Sequence, residues 1–176
     1  QYEAVLTQLV RRKTNHQSMR GIDRVQIGKC LVSEESNLLD GERPLGQYTV
    51  GVLERSLEGH WMPSVMPLSA IVTNYRLVLS PHKKKYQPAT LPSHFIGQVN
   101  MATRDRYNCI ELIVKSGHRL CLLMSTGKLD DLYHDLSAMK APPPKFHFDE
   151  KIAQKDIERL IAYLENQHRV ASTRQD

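Results

Sequence analysis

The chain predicts an α+β fold in which an antiparallel sheet is closed by helices. Three observations carry that expectation. Short β-rich runs separated by turn residues occupy 47–54, 69–80 and 94–124. Apolar residues recur at helical spacing near each end, and no apolar run approaches the roughly eighteen residues of a membrane span.

Length and charge set the bounds. At 176 residues there is room for one domain with a sizeable core, or a smaller one with helical flanks. Lys and Arg number 24 against 19 acids, an excess small enough that its location matters more than its size. Cys30, Cys109 and Cys121 are an odd number without a C-x-x-C pair, which points to reduced thiols of a cytosolic protein rather than a disulfide framework. Neither a signal peptide nor a lipidation box is visible, so any membrane contact is expected to be peripheral. A chain that begins at Gln1 is expected to be a piece of something longer.

Taken in order, residues 1–24 hold an amphipathic helix and a linker. Ala4, Val5, Leu6, Leu9 and Val10 make one stripe, and Arg11-Arg12-Lys13 suits its C-terminus. Such a helix docks on its own domain or lies on a membrane. Residues 25–140 form the central domain. Its strands are expected at 25–32, 47–54, 69–73, 76–80, 94–102, 109–115 and 118–124. The proline-bearing segment 55–68 excludes regular structure, asparagine's tolerance of positive φ supports the turn at Thr73-Asn74, and Pro92 starts a strand. The last hairpin has a determinable register. Ile110, Leu112 and Val114 share a face with Leu120, Leu122 and Met124 only across the three-residue loop 115–117, which wants glycine last and has Gly117. Leu129, Leu132, Tyr133, Leu136 and Met139 make a helix capped from Ser125 or Thr126. Residues 141–148 are a stiff proline-rich spacer. An amphipathic helix capped by Asp149 fills 149–170, and 171–176 is a frayed tail.

Catalytic spacing is absent: there is no G-x-S-x-G, P-loop, H-E-x-x-H or paired-cysteine box, so neither enzyme chemistry, cofactor nor metal is expected. The cations are the clearer signal. In an up-and-down sheet, alternate connections fall at one end. That would gather the loop with Trp61, the lysines Lys83, Lys84 and Lys85, and Lys115 and Arg119 on one rim, with residues 103–107 on the opposite rim. Lysines with an indole fit an anionic bilayer surface. A different class of reading makes this a protein-interaction module. It would dock through a sheet edge or through the stripe Ile157, Leu160, Ile161 and Leu164. Nucleic acid fits less well, because only Tyr86 and Tyr107 interleave the basic residues.

Leu39-Asp40-Gly41-Glu42, then Ile71-Val72-Thr73-Asn74-Tyr75-Arg76-Leu77-Val78-Leu79, then Leu91-Pro92 with Ile96 and Val99, and finally Asp131-Leu132-Tyr133, resemble the GRAM domain pattern over roughly residues 38–140. GRAM domains are similar to pleckstrin-homology domains. The resemblance implies a PH-like antiparallel β-barrel or sandwich closed by a C-terminal helix, here with additional flanking helices. It also implies phosphoinositide or other anionic-lipid binding, or protein interaction, without catalysis. The motif is mostly structural and bears more on fold than on ligand.

Overall fold

The structure, a computed structural model, describes residues 38–83, 85–124 and 128–173, with side chains through 167. The expected N-terminal helix, the strand at 25–32 with Cys30, the caps Ser125 and Thr126, Lys84 and the last three residues lie outside the described residues. The chain divides into Gln1–Glu42 and Arg43–Asp176. At the end of the first unit Leu39–Glu42 is a tight turn. The Glu42 N–H donates to the Leu39 carbonyl (2.9 Å), and the Leu39 N–H donates to the Glu42 carboxylate (2.8 Å). Gly41, at φ 80°, allows it.

The second unit is α+β, with eight strands in one open antiparallel sheet. They are β1 (Pro44–Arg55), β2 (Trp61–Pro63), β3 (Leu68–Thr73), β4 (Arg76–Pro81), β5 (Ala89–Pro92), β6 (Ile96–Arg104), β7 (Tyr107–Val114) and β8 (Arg119–Leu123). Their order is β5-β4-β3-β1-β8-β7-β6, with β2 paired to β1. β1 spans both halves: Pro44 to Val50 pair with β3, whereas Gly51 to Leu53 pair with β8. The end strands β5 and β6 do not pair with each other. Of the expected barrel or sandwich, the closed barrel is not formed: the sheet is open, and a 3-10 turn at Ser93–Phe95 joins its end strands.

That corner corrects the expected strand at 94–102. Pro92 closes β5 instead of opening β6, which an edge strand tolerates because a missing donor there breaks no ladder. Trp61–Pro63 is likewise a strand despite its proline, held opposite Leu53 to Arg55. Just after β2, Ser64 stays bonded to β1. The Ser64 N–H donates to the Val52 carbonyl (2.7 Å), and the Ser64 hydroxyl accepts the Val52 N–H (3.0 Å). The turn at Thr73-Asn74 needs no positive φ. Thr73 Oγ1 accepts the N–H groups of Tyr75 and Arg76 (3.1 and 3.0 Å), so a side chain supplies the turn's bonds. The β7–β8 register is the one the loop length dictates, with Leu112 opposite Leu120 and Gly117 at φ 86°.

Side chains from both halves of the sheet meet in one core, among them Leu68, Leu77, Leu79, Leu91, Ile110, Leu112 and Leu122. Helix α1 (Leu129–Ala138) adds Leu132 and Leu136. Its N-cap is Lys128, without a side-chain bond, and Asp130 and Asp131 in the first turn favour the helix dipole. The Tyr48 hydroxyl donates to the Asp135 carboxylate and fastens α1 to β1. Any side chain at Gly46 would meet the Tyr48 hydroxyl at 2.6 Å, so this approach requires glycine.

Residues 141–148 are not a free spacer. Phe146 packs on Tyr75 and Phe148 on His94, and the Lys140 N–H donates to the Asn74 carbonyl (2.7 Å). The chain thus returns along the sheet into α2 (Glu150–Thr173), where Asp149 Oδ1 accepts the Lys151 N–H (2.8 Å) as a cap. The helix continues into the stretch expected to fray after 170.

Candidate functional site

The best-defined basic surface is the β4–β5 loop. Tyr86 anchors it: its N–H donates to the Lys83 carbonyl (3.1 Å), and its ring packs against Tyr163 of α2 with centroids 4.4 Å apart. Arg159 of α2 donates to the Pro88 carbonyl (3.1 Å) at the far side of the loop. Held this way, Lys83 and Lys85 are exposed, and neither has a carboxylate partner among the described residues. The Lys85 ammonium lies 5.0 Å from the Tyr86 ring centroid.

The remaining residues of the expected rim lie elsewhere. Lys115 donates to Glu150 Oε1 (2.9 Å) at the start of α2, and its ammonium holds that carboxyl below the usual carboxylate range. Glu150 and Tyr163 are thirteen residues apart on one helix, which separates the Lys115 contact from the Tyr86 contact by about 20 Å. Arg119 is exposed at the start of β8, opposite Ile113. Trp61 is no free membrane anchor. Half-buried, it covers Leu53, Cys109 and Cys121 while the Arg104 guanidinium lies 5.8 Å from its ring centroid. The Trp61 N–H donates to Asp105 Oδ2 (2.9 Å), so the turn expected at the opposite rim stands beside it.

The 115–117 loop lies at the start of β6, where the Phe95 carbonyl accepts the Lys115 N–H (2.9 Å), and from it β8 runs antiparallel to β1. Of the cations near Trp61, Arg104 is committed to Glu111, a pair that raises the guanidinium's affinity for its proton further. The exposed apolar residues of that region are Leu57, Met62 and Val65.

The stripe expected to dock a partner is interior. Ile157, Leu160 and Leu164 are buried in the main core, with Ile161 packed against it, because α2 lies along β5. Sequence reading missed Tyr86, Arg159 and Tyr163 as the braces of the lysine loop. One signal was present: Tyr163 follows Leu160 by three and so continues the buried stripe.

Cys109 and Cys121, on neighbouring strands, are packed together in one buried cluster. Burial, then the adjacent Cys121, pushes the Cys109 thiol up to about 11; burial raises Cys121 as well. Neither is a thiolate at neutral pH, so neither is poised as a nucleophile. Among the described residues no three His, Cys, Asp or Glu side chains gather so that they could hold a metal ion, and no helix is long and apolar enough to cross a membrane.

No protein-family model matches the chain, and no curated relative was found. Among solved structures it is similar to the hSac2 domain from the human phosphoinositide phosphatase Sac2, at 13% identity and a TM-score of 0.40, over 64% of this chain and 77% of that one.

Proposed function

We propose that the chain is a non-catalytic module of the GRAM and pleckstrin-homology-like kind that contacts anionic membrane lipid through its β4–β5 loop. One observation carries the reading. Lys83 and Lys85 stand exposed, without a carboxylate partner among the described residues, on a loop braced at Tyr86 and Pro88, while Lys115 and Arg104 are spent on Glu150 and Glu111. A cation already neutralised by a neighbour gains little from a lipid phosphate, whereas a free one gains about 1 kcal/mol near an anionic surface. Three consecutive lysines then favour binding on the order of a hundredfold over neutral lipid. The resemblance over 38–140 supports the PH-like reading and makes a phosphoinositide headgroup the first to try. The raised thiols support a role without nucleophilic chemistry.

Vesicle co-sedimentation tests this. With vesicles of phosphatidylcholine carrying about a third phosphatidylserine, the protein is expected to pellet, and to release as salt rises from about 0.05 to 0.5 M. Changing Lys83, Lys84 and Lys85 to Glu is expected to abolish pelleting, while Lys115→Glu changes it little. Equal pelleting of wild type and the triple variant overturns the proposal.

A further inference from the structure

The segment between α1 and α2 is tied down at both ends. Ser93 Oγ donates to the Lys140 carbonyl (2.7 Å) at one end, and at the other Asp149 caps α2 while Lys115 reaches Glu150 (2.9 Å). Between them the Phe146 N–H donates to the Pro143 carbonyl (2.9 Å) and closes a turn. Three successive prolines, Pro142, Pro143 and Pro144, restrict the backbone that leads into it. With the 3-10 turn at Ser93–Phe95, this fixed wall bounds a cleft of about 520 Å³. Clefts that take small ligands measure about 300–1,000 Å³. Apart from His94, the lining comes from residues 141–150, beyond the stretch that resembles a GRAM domain.

The lining is aromatic, apolar and acidic. The rings of His94, Phe146, His147 and Phe148 line the cleft, with Pro142 and Pro144 beside them. His94 and Phe148 lie with centroids 6.2 Å apart and planes at 50°, a corner rather than a stack, and Phe146 is braced by Tyr75. Asp149 and Glu150 add two carboxylates, and no Lys or Arg is among the described lining residues. Lys115 balances the charge of Glu150. The full charge of Asp149 outweighs the roughly half charge of the helix N-terminus, so the cleft favours a cation. Its phenyl rings attract cations within the chain itself. The Lys145 ammonium is 4.9 Å from the Phe146 centroid, and the Arg76 guanidinium is 5.9 Å from that of Phe148.

We infer that this cleft binds a trimethylammonium group, of the kind carried by choline and by choline lipids. Such a nitrogen has no N–H to satisfy and spreads its charge over methyl groups. It therefore suits the faces of phenyl and proline rings, which offer no acceptor. A primary ammonium would bring three donors that these walls leave without partners, and a neutral ligand would gain nothing from Asp149. The cleft sits at the opposite end of α2 from the Tyr86 contact and uses none of the β4–β5 lysines, so the inference does not rest on anionic-lipid binding.

Titration of the isotope-labelled full chain with choline chloride, followed through amide chemical shifts, tests this. The amides of Phe146, His147 and Phe148 are expected to shift with a Kd on the order of 1 mM. The neutral alcohol in which carbon replaces the nitrogen of choline is expected to bind at least about fivefold more weakly. Both measurements use the wild-type chain. Asp149→Asn keeps a side chain that caps the helix and removes the charge; it is expected to weaken choline binding severalfold with an unchanged urea midpoint. Phe148→Leu, which keeps the bulk and loses the ring, is expected to weaken it at least about fivefold. Monomeric dihexanoylphosphatidylcholine distinguishes the source: shifts at the same amides support a lipid headgroup, and no shift supports free choline. The inference is overturned if choline moves none of those amides at ten times the expected Kd, or if the neutral alcohol binds as well as choline. It is also overturned if Asp149→Asn and Phe148→Leu both bind choline like the wild type, or if the lipid binds and choline does not.

Discussion

Tyr48 shows how one side chain ties a helix to a strand and makes the attachment depend on pH. Its hydroxyl donates to Asp135, and burial, that hydrogen bond and the charges of Asp135 and Asp131 all raise its pKa well above the ordinary 10.0. The folded state therefore favours the protonated phenol. The contribution is whole below pH about 10, the unfolded value, and is lost as pH climbs toward the higher folded value. Urea midpoints measured from about pH 8 to 11 are expected to fall for the wild type beyond pH 10 and to fall less for Tyr48→Phe. Parallel curves would mean that the hydroxyl does not donate to Asp135. Thr73 and Asp105 teach a related lesson. Each holds a turn with its side-chain oxygen, Thr73 for its own loop and Asp105 for the backbone of Trp61.

Among the elements, α2 has the largest consequence. A stripe of Ile157, Leu160 and Leu164 has the pattern of a docking face and is in fact the lid of this core. The packed segment 141–148 turns the helix back onto β5, and the side chains of Asp156 and Arg159 then satisfy backbone groups of that edge. Leu160→Ala is accordingly expected to cost about 2–5 kcal/mol in urea unfolding, the range for truncating a buried leucine. A loss below about 0.5 kcal/mol would place that face in solvent. The two ends of the same helix also separate Lys115 from Tyr86, which divides the basic surface into distinct sites.

At the scale of the molecule, the sheet is open and its two margins are unequal. Hydrogen exchange reads this directly. The Thr90 amide, donated to Asp156, is expected to be protected, whereas the outward amides of Val99, Met101 and Thr103 exchange fast in the protein alone. Slow exchange along β6 would show that something already covers it. The lysine loop and the β6 edge lie on separate elements. Charge reversal of the loop is expected to leave β6 exchange unchanged.

What could be read along the chain was local. The β7–β8 register follows from loop length and alternation, since a one-residue slip would expose Leu112 and Leu120. Both described helices, the Asp149 cap and the basic character of 82–88 follow equally from spacing and residue type. Neighbours distant in sequence were beyond reach. The corner at Ser93–Phe95, the seat of α2 on β5, the pairing of Lys115 with Glu150 and the burial of Trp61 each depend on which strands turn away rather than pair. A pattern of period two or 3.6 says which face of an element is apolar. It does not name the surface that will cover that face, because burial rewards any apolar neighbour alike.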